Sequence, residues 1–184
     1  MAARADRIRF TILGEGIRDY FFAKAFLESA LGKNKVECYR SQTIPGAGSG
    51  EQQVRELFSK ELAARRGRPK DEQLWLVVVT DGDRFFPDQR RNQLEKEAQA
   101  RNLARLGTDE KVAVFVPCRN IESWIQWLET GEIDETTDYK TRFSNAKPTK
   151  YAQQLNSKCQ SLATDQFPPS LQDACEQWKK VVAN

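Results

Sequence analysis

Residues 76–85, LVVVTDGDRF, form an apolar run that stops at two carboxylates, Asp81 and Asp83. A continuous run of branched apolar residues before a glycine-containing turn predicts a fully buried strand of a parallel sheet. Because open α/β sheets bind ligands at the carboxyl ends of their strands, the two aspartates are predicted to face a crevice. So close together, they repel each other unless a cation lies between them or one is protonated. The stretch therefore favours a hard divalent ion such as Mg²⁺ at this edge.

Strands and helices are predicted to alternate around this stretch. Residues 7–13, RIRFTIL, predict a first strand that ends at Gly14-Glu15-Gly16, and residues 17–31 carry apolar side chains at helical spacing up to Gly32. The other predicted elements are strands at 36–39, 73–80 and 112–116, and helices at 52–65, 88–105, from Ile121 behind an Asn120 cap, 151–162 and 170–183. This alternation predicts right-handed βαβ crossovers and hence an α/β fold, with a four-stranded, mainly parallel sheet flanked by helices. We expect residues 1–130 to form this domain and residues 131–184 to form a C-terminal helical extension packed on it.

The composition fits a protein of one domain. Its 184 residues suffice to bury a substantial core. The net charge of +3, from 29 basic and 26 acidic residues, is too small to indicate a nucleic-acid-binding protein, so the distribution of charge matters more than its total. No apolar run is long enough to span a bilayer, and the N-terminus lacks the apolar core of a signal peptide. We therefore expect a cytoplasmic protein with no membrane partner.

The sequence contains no histidine, which excludes several catalytic classes. Ser-His-Asp and Cys-His nucleophiles, H-E-x-x-H zinc sites and histidine phosphoryl relays all require imidazole. Any catalysis has to use carboxylates, metals, lysine, tyrosine or thiols. The four cysteines are widely spaced and include no C-x-x-C pair, so structural zinc and a disulfide framework are disfavoured and buried, reduced thiols are expected at Cys38, Cys118, Cys159 and Cys175.

Four acidic residues are predicted at the carboxyl ends of strands. Glu15 follows the first strand, Asp81 and Asp83 follow the third, and Glu122 lies one short turn beyond the fourth. If strands one, three and four are neighbours, these side chains converge on one crevice. Such a cluster suits Mg²⁺ or Mn²⁺, which polarise a phosphate and activate a water. Taken singly, each acid is better explained as a helix cap or part of a solvated turn; taken together, the four favour a metal site.

The order of these residues forms a recognisable pattern. A strand is followed by Glu15-Gly16 and, after two intervening βα units, another strand is followed by Asp81 and Asp83 in an Asp-x-Asp motif. This pattern resembles the Toprim domain of topoisomerases, DnaG-type primases, RecR-type recombination proteins and overcoming-lysogenization-defect nucleases. Residues 116–125, VPCRNIESWI, also resemble the element after the fourth strand in small stand-alone Toprim-like proteins of bacterial defence loci, with Glu122 and Trp124 at matching positions. The resemblance covers residues 7–128.

This resemblance implies a Toprim-like, Rossmann-like sheet and hydrolysis of phosphodiester bonds in DNA or RNA, with Mg²⁺ or Mn²⁺ as the cofactor. In that interpretation Glu15 ligates metal or acts as a general base. Asp81 and Asp83 hold metal, and Glu122 completes the ligand shell. Position 85 is Phe where topoisomerase-type members often carry a third Asp, which argues against a topoisomerase.

Basic side chains are candidates for binding a phosphate backbone. Arg84 lies within the predicted turn that carries Asp81 and Asp83, which we call the aspartate turn. Lys147 and Lys150 lie in residues 145–151, NAKPTKY. For the two lysines the alternative is a solvated basic linker. A denser basic cluster precedes the third strand and is predicted at the opposite edge of the sheet, where it is a candidate contact for nucleic acid or a partner: Arg65, Arg66, Arg68 and Lys70.

Three further features have structural explanations. Asp19, one helical turn beyond Glu15, is a weaker metal candidate and is predicted to lie on solvated helix surface. The loop GAGSGE, residues 46–51, lacks the G-K-[ST] ending of an ATP-binding loop and the full dinucleotide fingerprint, so a flexible connection is predicted. The four tryptophans fall on buried faces or helix stripes and are predicted core residues: Trp75, Trp124, Trp127 and Trp178.

The leading hypothesis is a Mg²⁺- or Mn²⁺-dependent nuclease that serves as an effector in antiviral defence. By the same resemblance it works beside a separate ATPase, because the chain has no ATP-binding motif. The main alternative is a non-catalytic Toprim-like module that binds a partner protein, favoured by the missing third Asp and the modest net charge. Hydrolysis of a nucleotide or another small phosphorylated substrate is a third hypothesis. The sequence is compatible with an oligomer in each case.

Overall fold

The computed structural model describes residues 7–41, 49–69, 72–83, 85–161 and 166–182. Its strands and α-helices are, in chain order, β1 (Ile8–Gly14), α1 (Ile17–Leu31), β2 (Val36–Arg40), α2 (Gly50–Arg66), β3 (Leu74–Val79), α3 (Pro87–Ala100), β4 (Val112–Phe115), α4 (Ile121–Thr130), α5 (Pro148–Ser161) and α6 (Pro169–Val182). None of the helices in these ranges has the length and apolar character that crossing a membrane requires. Lys70, Arg84 and residues 46–48 lie outside the described residues, so what was predicted for them stays a prediction.

The four strands form one parallel sheet in the order β2-β1-β3-β4. The predicted α/β class is confirmed, and β1, β3 and β4 are neighbours, as convergence of the acids requires. The chain passes from β1 outward to β2 and then returns across β1 to β3, so the topological switch point lies between β1 and β3. The register pairs Gly14 with Val79 at the ends of these strands. The residues that follow, Glu15 and Thr80, are therefore side by side at the switch point.

Alternate residues of the strands build two hydrophobic cores, one on each face of the sheet. On the first face, Val77 and Phe115 pack with α1, α4, α5 and α6. On the second face, Leu13 and Val78 pack with α2 and α3. Because both of its faces are covered, β3 is buried along nearly its whole length, which explains its unbroken apolar sequence, LWLVVV.

Helices α5 and α6 belong to the first core. Leu155 of α5 and Leu171 and Trp178 of α6 are buried in the same cluster as Phe26 of α1. The ring centroids of Phe26 and Trp178 are 4.9 Å apart in an edge-to-face arrangement, a favoured geometry for aromatic pairs. The described part of residues 131–184 therefore completes the cover of this face of the sheet.

The four tryptophans are all buried, so their prediction as core residues is confirmed. Trp124 shows how the polar part of such a ring is accommodated. Its indole N–H donates a hydrogen bond to Ser170 Oγ at 2.9 Å, and Ser170 is itself buried. Since a buried indole N–H without a partner is costly, this bond ties α4 to α6.

Helix α3 is shorter than predicted, because it ends at Ala100 rather than at residue 105. Asn102 has a φ of +61°, in the left-handed region that asparagine tolerates better than most residues. This residue turns the chain out of the helix. Leu103 and Leu106 pack against the second core from the following loop, so apolar spacing alone did not reveal where the helix stops.

Cys159 of α5 and Cys175 of α6 form a disulfide, with their Cα atoms 5.4 Å apart. The expectation of reduced thiols is therefore wrong for this pair. Cys38 is half-buried and Cys118 is buried, and both are free. The spacing along the chain gave no indication of the disulfide, because the packing of two helices in one core brings the cysteines together.

Removing this disulfide is predicted to destabilise the protein. A cross-link over a separation of 16 residues restricts the unfolded chain and stabilises the fold by about 3 kcal/mol. The variant Cys159→Ala/Cys175→Ala should therefore have a free energy of unfolding in urea lower by about 2 to 4 kcal/mol than that of the oxidised wild type. Thiol titration of the unfolded, non-reduced wild type should detect Cys38 and Cys118 only. Detection of all four thiols would contradict the pairing.

Candidate functional site

Glu15 joins the ends of the two strands that flank the switch point. It follows β1 directly, and its Oε1 accepts hydrogen bonds from Thr80 Oγ1 at 2.9 Å and from the Asp81 backbone N–H at 2.8 Å. Both donors belong to the residues that follow β3. The Glu15 carboxylate therefore lies across the switch point, beside the start of the aspartate turn, as the sequence predicted from the strand ends.

Asp81 is buried at the same edge, with 8% of the residue exposed. Among the described residues, Lys140 supplies the only hydrogen bond to its carboxylate, from Nζ to Oδ2 at 3.2 Å. The Lys140 side chain is itself 58% exposed. One oxygen of a buried carboxylate is thus balanced by a cation that remains in contact with solvent.

Asp19 lies in the site, and its prediction as solvated helix surface is wrong. It is the third residue of α1, where its Oδ2 accepts a hydrogen bond from the Gly16 N–H at 2.7 Å and caps the helix. The residue is 9% exposed. A Cβ on Gly14 would lie 2.7 Å from the Asp19 Cβ, so the missing side chain at Gly14 allows Asp19 to pack onto the end of β1.

The turn that carries Asp83 is held by Arg90, a residue that the sequence analysis did not identify. The Arg90 side chain is 3% exposed. Its Nε donates to the Asp81 carbonyl at 3.0 Å, its Nη2 to Asp83 Oδ2 at 3.2 Å and its Nη1 to Glu51 Oε1 at 2.6 Å. Asp83, predicted to hold metal, therefore directs its carboxylate to an arginine. In a strongly charged helix sequence, nothing distinguishes Arg90 from its solvated neighbours.

Gly82 makes the turn sterically possible. Its N–H donates to the Pro117 carbonyl at 2.8 Å. A Cβ at this position would lie 2.4 Å from the Cys118 carbonyl oxygen and 2.8 Å from that of Pro117, closer than real Cβ atoms approach. The backbone after β3 thus packs directly on the backbone after β4.

Glu122 is buried beside Arg18, a second arginine that the sequence analysis did not identify. Arg18 Nη2 lies 3.2 Å from Glu122 Oε1. The same guanidinium donates to the carbonyls of Phe143, Ser144 and Ala146 at 3.0, 2.6 and 3.3 Å. Arg18 therefore fixes both Glu122 and the segment that precedes α5.

Lys140 is positioned by contacts that begin at Asn120. Asn120 is the residue before α4, as predicted, but its side chain does not cap the helix: Nδ2 donates to Asp138 Oδ1 at 2.8 Å. The Lys140 backbone N–H donates to the same Asp138 oxygen at 2.9 Å. This arrangement holds the loop between α4 and α5 against the site, from which Lys140 reaches Asp81.

Burial and mutual repulsion raise the pKa values of the three central carboxyls. Burial is the main cause for Asp81, whose pKa rises to about 8, and the Glu15 and Asp19 carboxylates raise it further. Burial likewise raises the pKa of Asp19 to about 7, with additional repulsion from Glu15 and Glu122. The pKa of Glu15 is also raised, chiefly by burial. Burial and the mutual repulsion of the three groups thus favour their protonated forms, whereas a neighbouring cation favours the charged forms.

The donor set fits a divalent cation in its chemistry. Carboxylate oxygens are the ligands that Mg²⁺ and Mn²⁺ prefer, and a bound cation would relieve the repulsion that raises these pKa values. In the described ranges, however, no three Asp, Glu or Cys side chains are placed to hold one metal ion. Asp83 and Glu122 are paired with arginines. Of the acids at this edge, Glu15, Asp19 and Asp81 therefore remain as candidate metal ligands by their chemistry.

The predicted phosphate-binding lysines do not meet these acids. Lys150 Nζ lies 3.4 Å from Glu129 Oε1, near the end of α4 that is remote from the site. The Tyr151 hydroxyl donates to the same carboxylate oxygen. Lys147 is exposed just before α5. Lys140, from the same polar region of the sequence, is the lysine that reaches Asp81.

The described arginines of the basic cluster before β3, Arg65, Arg66 and Arg68, lie at the amino edge of the sheet, as predicted. Arg66 forms a salt bridge there with Glu110, with Nε 2.7 Å from Oε1. The same guanidinium donates to the carbonyls of Ala104 and Arg105 at 2.8 and 2.9 Å. Arg66 thus fastens the loop between α3 and β4 to the end of α2, which is a structural role.

The fold and the site together define an α/β protein whose parallel sheet carries a group of buried carboxylates at its switch point. Comparisons with protein-family models, with curated proteins and with solved structures found no match for this chain. What the protein does therefore has to be inferred from the geometry and electrostatics of the site.

Neutralising Asp81 is predicted to stabilise the metal-free protein at alkaline pH. A carboxyl with a pKa of about 8 in the folded protein, against an ordinary value of 3.8, binds more protons when folded than when unfolded. Its contribution to stability is therefore present at low pH and is lost as the pH rises from about 4 to about 8. Asp81→Asn avoids this loss. The melting temperature of the variant in EDTA, minus that of wild type, should therefore increase from about pH 5 to about pH 8.5.

The matched control is Asp88→Asn, because the Asp88 side chain is 86% exposed. Its melting temperature should keep a constant offset from wild type over the same pH range. A constant offset for Asp81→Asn as well would contradict the raised pKa.

Gly82→Ala is predicted to lower the free energy of unfolding by about 1 to 3 kcal/mol, the usual cost of forcing a methyl group into packed surroundings. The added Cβ would press on the carbonyls of Cys118 and Pro117. Gly107→Ala is the control, since the nearest atom to a Cβ there is 3.7 Å away on the Glu110 side chain. Urea unfolding should show a change within about 0.5 kcal/mol for the control. Equal effects of the two substitutions would contradict the close backbone approach at Gly82.

Proposed function

We propose that this protein is a Mg²⁺- or Mn²⁺-dependent nuclease that hydrolyses phosphodiester bonds in DNA or RNA. The observation that supports this most directly is the placement of half-buried Glu15 and buried Asp19 and Asp81 together at the switch point between β1 and β3. Strongly shifted carboxyls in a crevice of an α/β sheet are typical of functional sites.

A purely structural role accounts for these acids less well. Asp19 caps α1, and Glu15 accepts two hydrogen bonds that join strand ends. Asp81, in contrast, accepts no backbone hydrogen bond from the described residues, although it is the one with the pKa of about 8. A buried acid that reduces stability and whose carboxylate is paired, among the described residues, only with a partly exposed lysine is expected where function requires it.

In this proposal Asp81, with Glu15 and Asp19, would hold the metal, which would supply positive charge at the phosphate and make a water more acidic. The Glu15 carboxylate, whose pKa is raised, would accept the proton of the attacking water. Lys140, whose partly exposed ammonium lies 3.2 Å from Asp81 Oδ2, binds the phosphate of the substrate. Arg90 and Arg18 position the surrounding loops through Asp83 and Glu122 rather than taking part in the chemistry.

The resemblance to Toprim domains supports the same proposal. The chain order strand, Glu15-Gly16, strand, Asp81-x-Asp83 coincides with the two strand ends that flank the switch point. By that resemblance the protein serves in bacterial antiviral defence, as an effector beside a separate ATPase. Asp19 and Lys140 extend the candidate site beyond the residues of the pattern.

The alternative is a non-catalytic module that binds a partner protein. One observation favours it: Asp81, Asp83 and Glu122 each face a basic side chain of the protein, Lys140, Arg90 and Arg18. A cluster neutralised from within needs no metal to be stable. The two functions differ in whether the carboxylates themselves are required.

Cleavage of nucleic acid with Mn²⁺ tests the proposal. Purified protein is incubated with supercoiled DNA, single-stranded DNA or RNA, and cleavage is compared between wild type, Glu15→Gln and Asp81→Asn. Removal of a general base lowers rates by about 10² to 10⁴, so Glu15→Gln should fall by that factor, and Asp81→Asn by at least as much. Mn²⁺ should also raise the melting temperature of wild type but not of Asp81→Asn, because binding to the folded state stabilises it.

Glu129→Gln is the matched control. Glu129 pairs with Lys150 at the remote end of α4 and has no role in the proposed chemistry. Its cleavage rate and Mn²⁺ response should equal those of wild type. Full activity in both Glu15→Gln and Asp81→Asn would overturn the nuclease and favour the interaction module.

A further inference from the structure

Exposed apolar side chains are concentrated around the site. Six large hydrophobic residues among those described have a substantial part of their surface exposed: Ile17, Phe21, Tyr39, Phe85, Phe86 and Val182. Val182 lies at the end of α6. Tyr39 lies on the edge strand β2, where it pairs with Thr11 in the middle of β1. Ile17 and Phe21 lie in the first turns of α1, which begins directly after Glu15-Gly16, and Phe85 and Phe86 follow the aspartate turn. We refer to Phe21, Phe85 and Phe86 as the aromatic rim.

Phe85 and Phe86 follow the aspartate turn and are 39% and 61% exposed. The Phe85 N–H donates to the Gly82 carbonyl at 2.8 Å, and the Arg90 guanidinium lies 5.1 Å from the centre of the Phe85 ring. Phe86 is the residue before α3, a position where a serine or aspartate would cap the helix. The chain thus places two phenyl rings in solvent beside Asp81 and dispenses with a capping side chain.

Phe21 lies on the helix that follows Glu15. It is one helical turn after Ile17 on the exposed face of α1, which begins directly after Glu15-Gly16. Its ring packs edge-on against Tyr20, with centroids 5.5 Å apart, and the Tyr20 hydroxyl donates to the Cys38 carbonyl at 3.3 Å. Tyr20 thus ties the part of α1 that carries Phe21 to β2.

Two of the described cations lie close to the rim and the acids. Lys140 is 58% exposed beside Asp81. Arg119 is half-buried and donates from Nη1 to the Asp83 carbonyl at 3.0 Å. Exposed rings and cations near the same turn match the two parts of a nucleic-acid strand, since bases stack on aromatic faces and phosphates pair with cations.

We propose that the aromatic rim binds unpaired bases, so that the site acts on single-stranded nucleic acid or on unpaired segments of it. The cleavage part of this inference rests on the proposed nuclease function, but base binding by the rim does not. In a duplex the faces of the bases are stacked on one another and cannot reach a protein ring without being unstacked. A surface with three exposed phenyl rings is therefore used fully only by an unpaired strand.

The composition of the rim favours this occupant over a protein partner. Interfaces that bury helices or sheets rely on aliphatic as well as aromatic contacts, whereas the three rings of the rim are joined by one exposed aliphatic residue, Ile17. The rim is also carried by the segments that directly follow Glu15 and the aspartate turn. A protein covering it would close the edge where a phosphate has to enter.

Binding without cleavage provides the test. Fluorescence anisotropy in EDTA and low salt measures the affinity for a labelled thymidine homopolymer of single-stranded DNA, which has no base pairing, and for a duplex of the same length. Wild type should bind the single strand more tightly. Phe85→Ala/Phe86→Ala should weaken that binding about tenfold or more, because each stacked base contributes substantially, and should leave duplex binding unchanged.

Val182→Ala controls for loss of an exposed apolar side chain elsewhere and should bind both ligands like wild type. Because both phenylalanines are exposed, the double variant should also keep the melting temperature of wild type within a few degrees. No detectable binding of the single strand, or an equal loss on single strand and duplex, overturns the inference. Unchanged single-strand binding in the double variant overturns it as well and assigns the rim to a protein partner.

The outcomes separate this inference from the proposed function. If Mn²⁺ gives no cleavage but the double variant loses single-strand binding, the nuclease is wrong and the rim stands as a binding surface. If cleavage occurs equally on duplex and single strand and is unaffected by Phe85→Ala/Phe86→Ala, the rim is wrong and the nuclease stands.

Discussion

Three carboxyl groups lie close together at the ends of two neighbouring strands. The surrounding structure has to compensate for the repulsion between them. Burial raises the pKa of Glu15, Asp19 and Asp81, and the Glu15 carboxylate raises the values of the other two further. Such an arrangement reduces stability unless cations are brought to it. Most of the polar contacts at this edge of the sheet serve to supply or to position those cations.

Buried Arg90, half-buried Arg18 and exposed Lys140 meet this demand in different ways. Arg90 binds the aspartate turn to α2 through Glu51, so the second face of the sheet supports the turn. Arg18 binds the loop between α4 and α5, so the first face supports that loop. Lys140, carried by this loop, reaches Asp81 and stays partly in solvent. The two arginines thus position the loops, and the partly exposed ammonium of Lys140 faces Asp81.

The same loops carry the acids of the site and the exposed apolar side chains beside them. The loops after β1 and β3 meet at the switch point because the chain reverses direction across the sheet there. These loops carry the acids inward, and they carry Ile17, Phe85 and Phe86 outward. A ligand approaching this edge meets charge in the middle and apolar rings at the periphery, which suits a molecule with phosphates and flat bases.

The sequence by itself determined the parts of this protein that depend on local patterns. Period-two and period-3.6 apolar spacing with glycine and proline punctuation predicted the strands, most of the helices and the α/β class. The strand ends then placed Glu15 next to Asp81, because parallel strands end at a common edge. Only the tertiary structure decided the rest: the burial of Asp19, the roles of Arg18, Arg90 and Lys140, and the Cys159–Cys175 disulfide. Apart from the helix cap at Asp19, these features depend on which elements pack together in space, and a charged residue in a charged helix carries no local signal that distinguishes a buried anchor from a solvated surface.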